Sequence, residues 1–313
     1  MFSKRGDPDA QTAPLQSFPI LESEYARLDA CLEEADLYGF YHDKVRNDYD
    51  PSLEQLIIRM PTNRHIIFIR KSIELILTKI TAQARILEHD HPTICRRLLQ
   101  LGSMSTSDIQ LLSDNGKVGH KSPDVSIGYP DRVYPQVVFE VAYNQDRGAL
   151  ERLAWDYIMG SSHYIRCVLG LTPDYLQYDS PFSPSPAHNA RVSVWRPLVQ
   201  IEDYMENMDV KQETKDQRLG ECNPDRAIAV LSLRDLLDVE TPEKKATAPD
   251  IDFKIVVTSG EMIDILTSAE LCLERSRKQR EHLLLESQNQ NYIWRKRRST
   301  PDKDKRNNKH SKR

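Results

Sequence analysis

Apolar residues between Arg64 and Leu87 fall on most faces of a helical projection, HIIFIRKSIELILTKITAQARIL from His65 onward. The spacing predicts a long, largely buried helix over 64–87. Thr62 or Asn63 supplies its N-cap, because either side chain accepts hydrogen bonds from the exposed first-turn amides. Upstream, Leu21, Tyr25, Leu28 and Leu32 recur at helical spacing and predict an amphipathic helix within 20–47. Leu53 to Met60 is a short apolar piece that Pro61 ends. A short helix is expected around Ile94–Leu101, a break at Gly102–Ser103 and a strand around Ile109–Leu111.

The pattern then changes period. Gln136-Val-Val-Phe-Glu-Val-Ala reads as a strand. The turn Tyr129-Pro-Asp-Arg, with Gly128 and Pro130 as punctuation, joins it to a preceding strand that Asp124 opens. Leu150, Leu153, Ala154, Tyr157 and Ile158 share one face of a helix over Arg147–Gly160, with Gly160 as its stop. Tyr164–Leu171 follows as a strand buried on both faces. Strand, helix, strand in this order favours a right-handed crossover and a parallel neighbour.

Beyond residue 180 the reading becomes coarser. Ser180-Pro-Phe-Ser-Pro-Ser-Pro-Ala is a proline-rich loop, and Arg191–Trp195 alternates as an edge strand does. Residues 201–224 are charged without pattern and read as an exposed insertion. Ala227–Leu233 and Phe253–Val257 are apolar strands that extend the sheet, with a turn at Leu236-Leu237. From Gly260 to Glu286 a long helix carries Met262, Ile265, Leu266, Ala269 and Leu273 on one stripe. Such a helix is a candidate for pairing with a protein partner.

Charge refines this picture. The 313 residues have a formal net charge of −4, yet residues 295–313 hold ten Lys or Arg against two Asp. That local +8 leaves −12 for the remainder, which disfavours a broad nucleic-acid face across the domain. Arg295, Lys296, Arg297 and Arg298 form the basic cluster of a nucleic-acid arm or a nuclear-import signal. Tyr292 and Trp294 are the aromatic residues interleaved there, too few to support specific single-strand reading. The five cysteines are scattered without a CxxC pair, which is reduced-thiol usage and not zinc spacing. With no apolar run of membrane length and no apolar leader at the N-terminus, a soluble, intracellular protein is expected.

The chemistry gathers in Lys121–Gln145. Asp124 starts one strand, and Glu140 lies inside another between Phe139 and Val141. A carboxylate in an apolar strand needs a partner or a metal. Two on neighbouring strands make a site for a hard cation such as Mg²⁺. The other readings are a turn or cap role for Asp124, and an ion pair from Glu140 to Arg132 or Arg152. On the long helix, His65 and Glu74 are nine residues apart and project to roughly opposite sides. Each is either a site contact or a capping or surface residue.

Ser122-Pro123-Asp124 followed by Val138-Phe139-Glu140-Val141-Ala142 resembles the PD-(D/E)XK nuclease superfamily, and is similar to its fungal members over roughly residues 58–178. The resemblance implies an α/β, restriction-endonuclease-like fold, a central mixed sheet flanked by helices. It implies metal-dependent phosphodiester cleavage of DNA or RNA, with Asp124 and Glu140 holding Mg²⁺ or Mn²⁺. On this reading residues 1–17 are disordered and 18–258 form the nuclease-like domain. Residues 259–290 are the long helix and 291–313 a disordered basic tail. The sequence departs from the family at the motif lysine, where Ala142 stands. Its task passes to Gln145, Arg152 or Lys121. If none of them takes it, the domain is a non-catalytic module for binding nucleic acid or protein.

Overall fold

The computed structural model describes residues 15–59, 63–104, 108–113, 115–142, 147–172, 189–202, 205–220, 223–237 and 251–289. The chain divides into two compact units, Met1–Leu271 and Cys272–Arg313. The proline-rich loop, Gln145 and the basic residues 295–298 lie outside the described residues.

The first unit is a mixed α/β structure built around three sheets. A five-stranded antiparallel sheet contains β1 (Leu15–Pro19), β2 (Arg46–Asp50), β3 (Gln55–Arg59), β5 (Ile109–Leu112) and β6 (Val118–Lys121), in the order β1-β3-β2-β6-β5. The second sheet has β4 (Gly102–Ser103), β7 (Val125–Gly128), β8 (Val137–Val141), β9 (Cys167–Thr172), β10 (Arg191–Glu202) and β11 (Met205–Arg218). Its order is β11-β10-β9-β8-β7-β4. Within it β8 and β9 are parallel, Val137 opposite Cys167 through Val141 opposite Leu171, and the other neighbours are antiparallel. A two-stranded sheet pairs β12 (Ala227–Ser232) with β13 (Lys254–Thr258).

Helices cover both faces of the six-stranded sheet because β8 is buried on both: all five of its residues are buried, and all but Glu140 are apolar. On one face Val137, Phe139 and Val141 join a core with Phe68, Ile69, Ile73, Ile76 and Ile80 of α4 (Asn63–Ile86). That core also takes in β12, β13, and Met262, Leu266 and Ala269 of α8 (Ser259–Asn289). On the other face Val138 and Ala142 pack with Leu150, Ala154, Tyr157 and Ile158 of α6 (Arg147–Gly160), and with Ile109 and Leu111 of β5. The long helix, the hairpin, α6 and its parallel crossover therefore stand where the hydrophobic pattern places them. Of the stripe on α8, Met262, Leu266 and Ala269 are buried and Ile265 is partly buried against the same core.

Four expectations fail. The segment 20–47 is not one helix. It forms α1 (Glu22–Tyr25), α2 (Leu28–Glu34) and α3 (Tyr38–Lys44), then enters β2. Asp36 adopts φ +56° and ends α2, with Leu37 N–H donating to the Leu32 carbonyl and Asp36 N–H to that of Glu33. This is a left-handed helix stop made without glycine. Arg191–Trp195 is not an edge: β10 pairs with β9 on one side and β11 on the other. Most of the charged 201–224 segment is the edge strand β11, held by its ladder of hydrogen bonds to β10, with Val210 packed partly buried against the core under α6. Strands β12 and β13 form their own ribbon and do not extend the large sheet. Pro92–Leu98 (α5) and Leu233–Leu236 (α7) complete the helices of the described residues.

Candidate functional site

The Ser122-Pro123-Asp124 motif is where the chain leaves one sheet and enters another. Lys121 is the last residue of β6 and Val125 the first of β7. Proline confines the residue before it to extended backbone, which suits a crossing. Ser122 is pinned there: its N–H donates to Asp48 Oδ1 (2.9 Å) and its hydroxyl to the Asn47 carbonyl (2.6 Å). A further contact joins Ser122 Oγ to Asp108 Oδ1.

The crossing sets Asp124 beside Glu140. Strands β7 and β8 pair Val125 with Phe139 and Ser126 with Val138; the next pair in that register is Asp124 with Glu140. The contact is close enough for Val141 N–H, on the far strand, to donate to Asp124 Oδ2 at 2.7 Å. The sequence-predicted pair is thus brought together, and both residues are buried, Asp124 at 7% and Glu140 at 2% exposure.

What the sequence reading missed is the cation. Arg59, the last residue of β3, reaches in with Nη1 3.0 Å from Glu140 Oε2 and 4.0 Å from Asp124 Oδ1. Its Nη2 donates to Asp48 Oδ1 (3.0 Å) and to the Ser122 carbonyl (2.5 Å). Glu140's ion pair is therefore with Arg59, not Arg132 or Arg152. The second Glu140 oxygen, Oε1, accepts from the Tyr157 hydroxyl of α6 at 2.6 Å. His65, in the first turn of α4, places Nε2 2.8 Å from Asp124 Oδ1. Its predicted opposite number, Glu74, is exposed and sits 3.8 Å from Arg70.

Electrostatics sorts the two carboxylates. Burial alone would raise Asp124, but His65 and Arg59 beside it outweigh that and hold it below the ordinary carboxylate value. Burial pushes Glu140 up, to about 8, with Asp124 and Asp48 pushing the same way against the pull of Arg59 and Tyr157. Burial works against the Arg59 cation, yet Asp48, Glu140 and Asp124 together hold it well above its ordinary value. Protonation of Glu140 is therefore the adjustable charge among these three groups.

Of the residues considered as substitutes for the motif lysine, the two that are described, Lys121 and Arg152, do not converge on this pair. Lys121 Nζ is 3.0 Å from Asp156 Oδ2 on α6. Arg152 is exposed. Ala142 is 3% exposed and belongs to the apolar core under α6, so its position offers no polar function.

As arranged, the centre does not fit a divalent cation. Each of the four oxygens of Asp124 and Glu140 faces a donor or cationic group of the protein itself. A dication between them would stand within a few ångströms of a guanidinium that cannot deprotonate. With the side chains as they stand, Arg59 among them, no group of three or more His, Cys, Asp or Glu suited to a metal occurs among the described residues. No helix among the described residues is long and apolar enough to cross a membrane.

Comparison with protein-family models, with curated proteins and with solved structures finds no match to this chain.

Proposed function

We propose that the chain carries a restriction-endonuclease-like domain that has kept its paired carboxylates and works as a non-catalytic nucleic-acid-binding module. The observation that carries this reading is the cross-strand pair Asp124 and Glu140 with the Arg59 guanidinium set between them. The strand order supports it too. A helix, α4, precedes β4, β7 and β8, which neighbour one another in sequence order, and α6 then leads to β9 parallel to β8. Binding is assigned to the basic residues Arg295, Lys296, Arg297 and Arg298, where clustered charge gains affinity for a polyanion by releasing counterions.

Metal-dependent phosphodiester cleavage is the second reading. The juxtaposition of Asp124 and Glu140 favours it, with Mg²⁺ or Mn²⁺ as the ion and Gln145 placing the water. It requires Arg59 to give way.

Titration calorimetry with Mg²⁺ and Mn²⁺, together with plasmid nicking, separates the two on wild type, Asp124→Ala and Glu140→Ala. The module reading expects no nicking and no Asp124-dependent metal binding by folded wild type. It also expects duplex DNA binding whose salt slope shrinks by about 3 to 4 when residues 295–298 become alanine, from roughly 0.9 per neutralised phosphate. Mg²⁺-dependent nicking that both carboxylate variants abolish would establish the enzyme instead.

A further inference from the structure

Three carboxylates from three separate segments converge on one guanidinium: Asp48 from β2, Asp124 from the crossing into β7 and Glu140 from β8. Asp48, Asp124 and Glu140 are each at least nine-tenths buried. Uncompensated charges in such a place repel one another and lack solvent, so a cation is required there by the fold and not only by any chemistry. The fork of an arginine meets this need with directed N–H donors. Arg59 spends both terminal nitrogens on it, one toward Glu140 and Asp124, the other on Asp48 and the Ser122 carbonyl.

We infer that Arg59 is the resident cation of this centre, a built-in occupant that excludes a divalent ion from Asp48, Asp124 and Glu140 and latches the five-stranded sheet onto the six-stranded one. The inference deepens the proposed function, on whose reading of the carboxylate pair it rests. Two features of the geometry carry it. Arg59 comes from β3 of one sheet and its principal acceptor Glu140 from β8 of the other, so a single side chain ties both. The acceptors it would vacate, Glu140 Oε2, Asp124 Oδ1 and Asp48 Oδ1, are three oxygens within 4.0 Å of its terminal nitrogens. Oxygen donors of this kind are what Mg²⁺ and Mn²⁺ take. Arginine keeps its proton across the physiological range, so any pH dependence of the latch lies with its acceptors, Glu140 first, and not with Arg59.

The test compares thermal melting of the full chain with and without millimolar Mn²⁺. Wild type is expected to melt at the same temperature in Mn²⁺ and in EDTA. Arg59→Ala is expected to melt roughly 10 °C lower, as removing one partner of a buried ion pair does in a domain of this size. Mn²⁺ should restore part of that loss, and Asp124→Asn in the same background should abolish the restoration. Arg59→Lys, which keeps a charge, should melt between the two and ignore Mn²⁺. If Arg59→Ala does not fold, Arg59→Ala/Asp48→Asn takes its place. Recovery of a cooperative melt on neutralising Asp48 supports the latch, and a variant that stays unfolded overturns it. A folded Arg59→Ala indifferent to Mn²⁺, or a wild type that responds as strongly, also overturns it. Plasmid nicking by wild type would refute the non-catalytic reading whatever the Arg59 variants do, so the two failures remain distinct.

Discussion

The phenol of Tyr157 donates to Glu140 Oε1 at 2.6 Å, a bond from α6 to the penultimate residue of β8 with both side chains buried. Burial and the Glu140 carboxylate together raise the phenol well above its ordinary value, so Tyr157 keeps its proton and remains a donor. Tyr157→Phe removes the donor and leaves Oε1 without that partner. A loss of about 1–3 kcal/mol is expected, the cost of stranding a buried acceptor. Urea unfolding measures it, and an unchanged midpoint would show that the bond contributes nothing.

The two carboxylates give stability opposite dependence on pH. Asp124 titrates below its ordinary value in the folded chain, so its contribution is present above the unfolded value and is lost as pH falls through the folded one. For Glu140 the folded value, about 8, lies above the ordinary 4.5. Between these limits the folded protein holds a proton that the unfolded chain has released. Its contribution is thus full below 4.5 and is lost as pH rises toward 8. Denaturant midpoints across pH should fall less steeply from pH 5 to 8 in Glu140→Gln than in wild type. Parallel curves for the two proteins would contradict the raised value.

Placing a lysine at position 142, where the resemblance expects one, should not create a catalytic site. Ala142 packs among Val138, Leu150, Ala154 and Ile158. Ala142→Lys would force an ammonium into that apolar layer or push α6 away. We expect destabilisation of at least about 3 kcal/mol and no gain of nicking, read by unfolding and by the plasmid assay.

Gly170 stands opposite Glu140 in the parallel pairing of β8 and β9. A Cβ there would lie 2.6 Å from Leu150 Cδ2 and 2.7 Å from Trp195 Cζ3. Gly170→Ala should therefore cost about 1–3 kcal/mol by overpacking. It should also weaken the Tyr157–Glu140 bond, since Leu150 and Tyr157 ride on the same helix. Combining Gly170→Ala with Tyr157→Phe should then cost less than the sum of the two single changes.

Legibility in the sequence followed burial. Helix α6 reads at its true ends because Leu150, Ala154 and Tyr157 repeat at helical spacing and all face the sheet. Strand β8 reads because a carboxylate inside an apolar run demands an explanation. Strand β11 does not, since an edge strand with charges along it is held by its ladder to β10, and nothing in MENMDVKQETKDQR alternates toward a core. Arg59 escapes for another reason. It ends a short apolar segment, 81 residues before Glu140. A terminal arginine there reads as a solvated charge until the fold brings the end of β3 within reach of Glu140. His65 lay within reach of sequence reasoning through its angular separation from Glu74, but only the position of Asp124 decides which of the two faces inward.

The passage of the chain through Ser122 and Asp124 has a consequence for cooperativity. One tetrapeptide, Lys121–Asp124, is held by Asp156 of α6, by β2 and by β8 at once. Neither sheet can open at that end without breaking the other's hydrogen bonds. Amide protons of β6 and β7 should therefore exchange as one unit, with a common opening free energy, instead of as two separate ribbons.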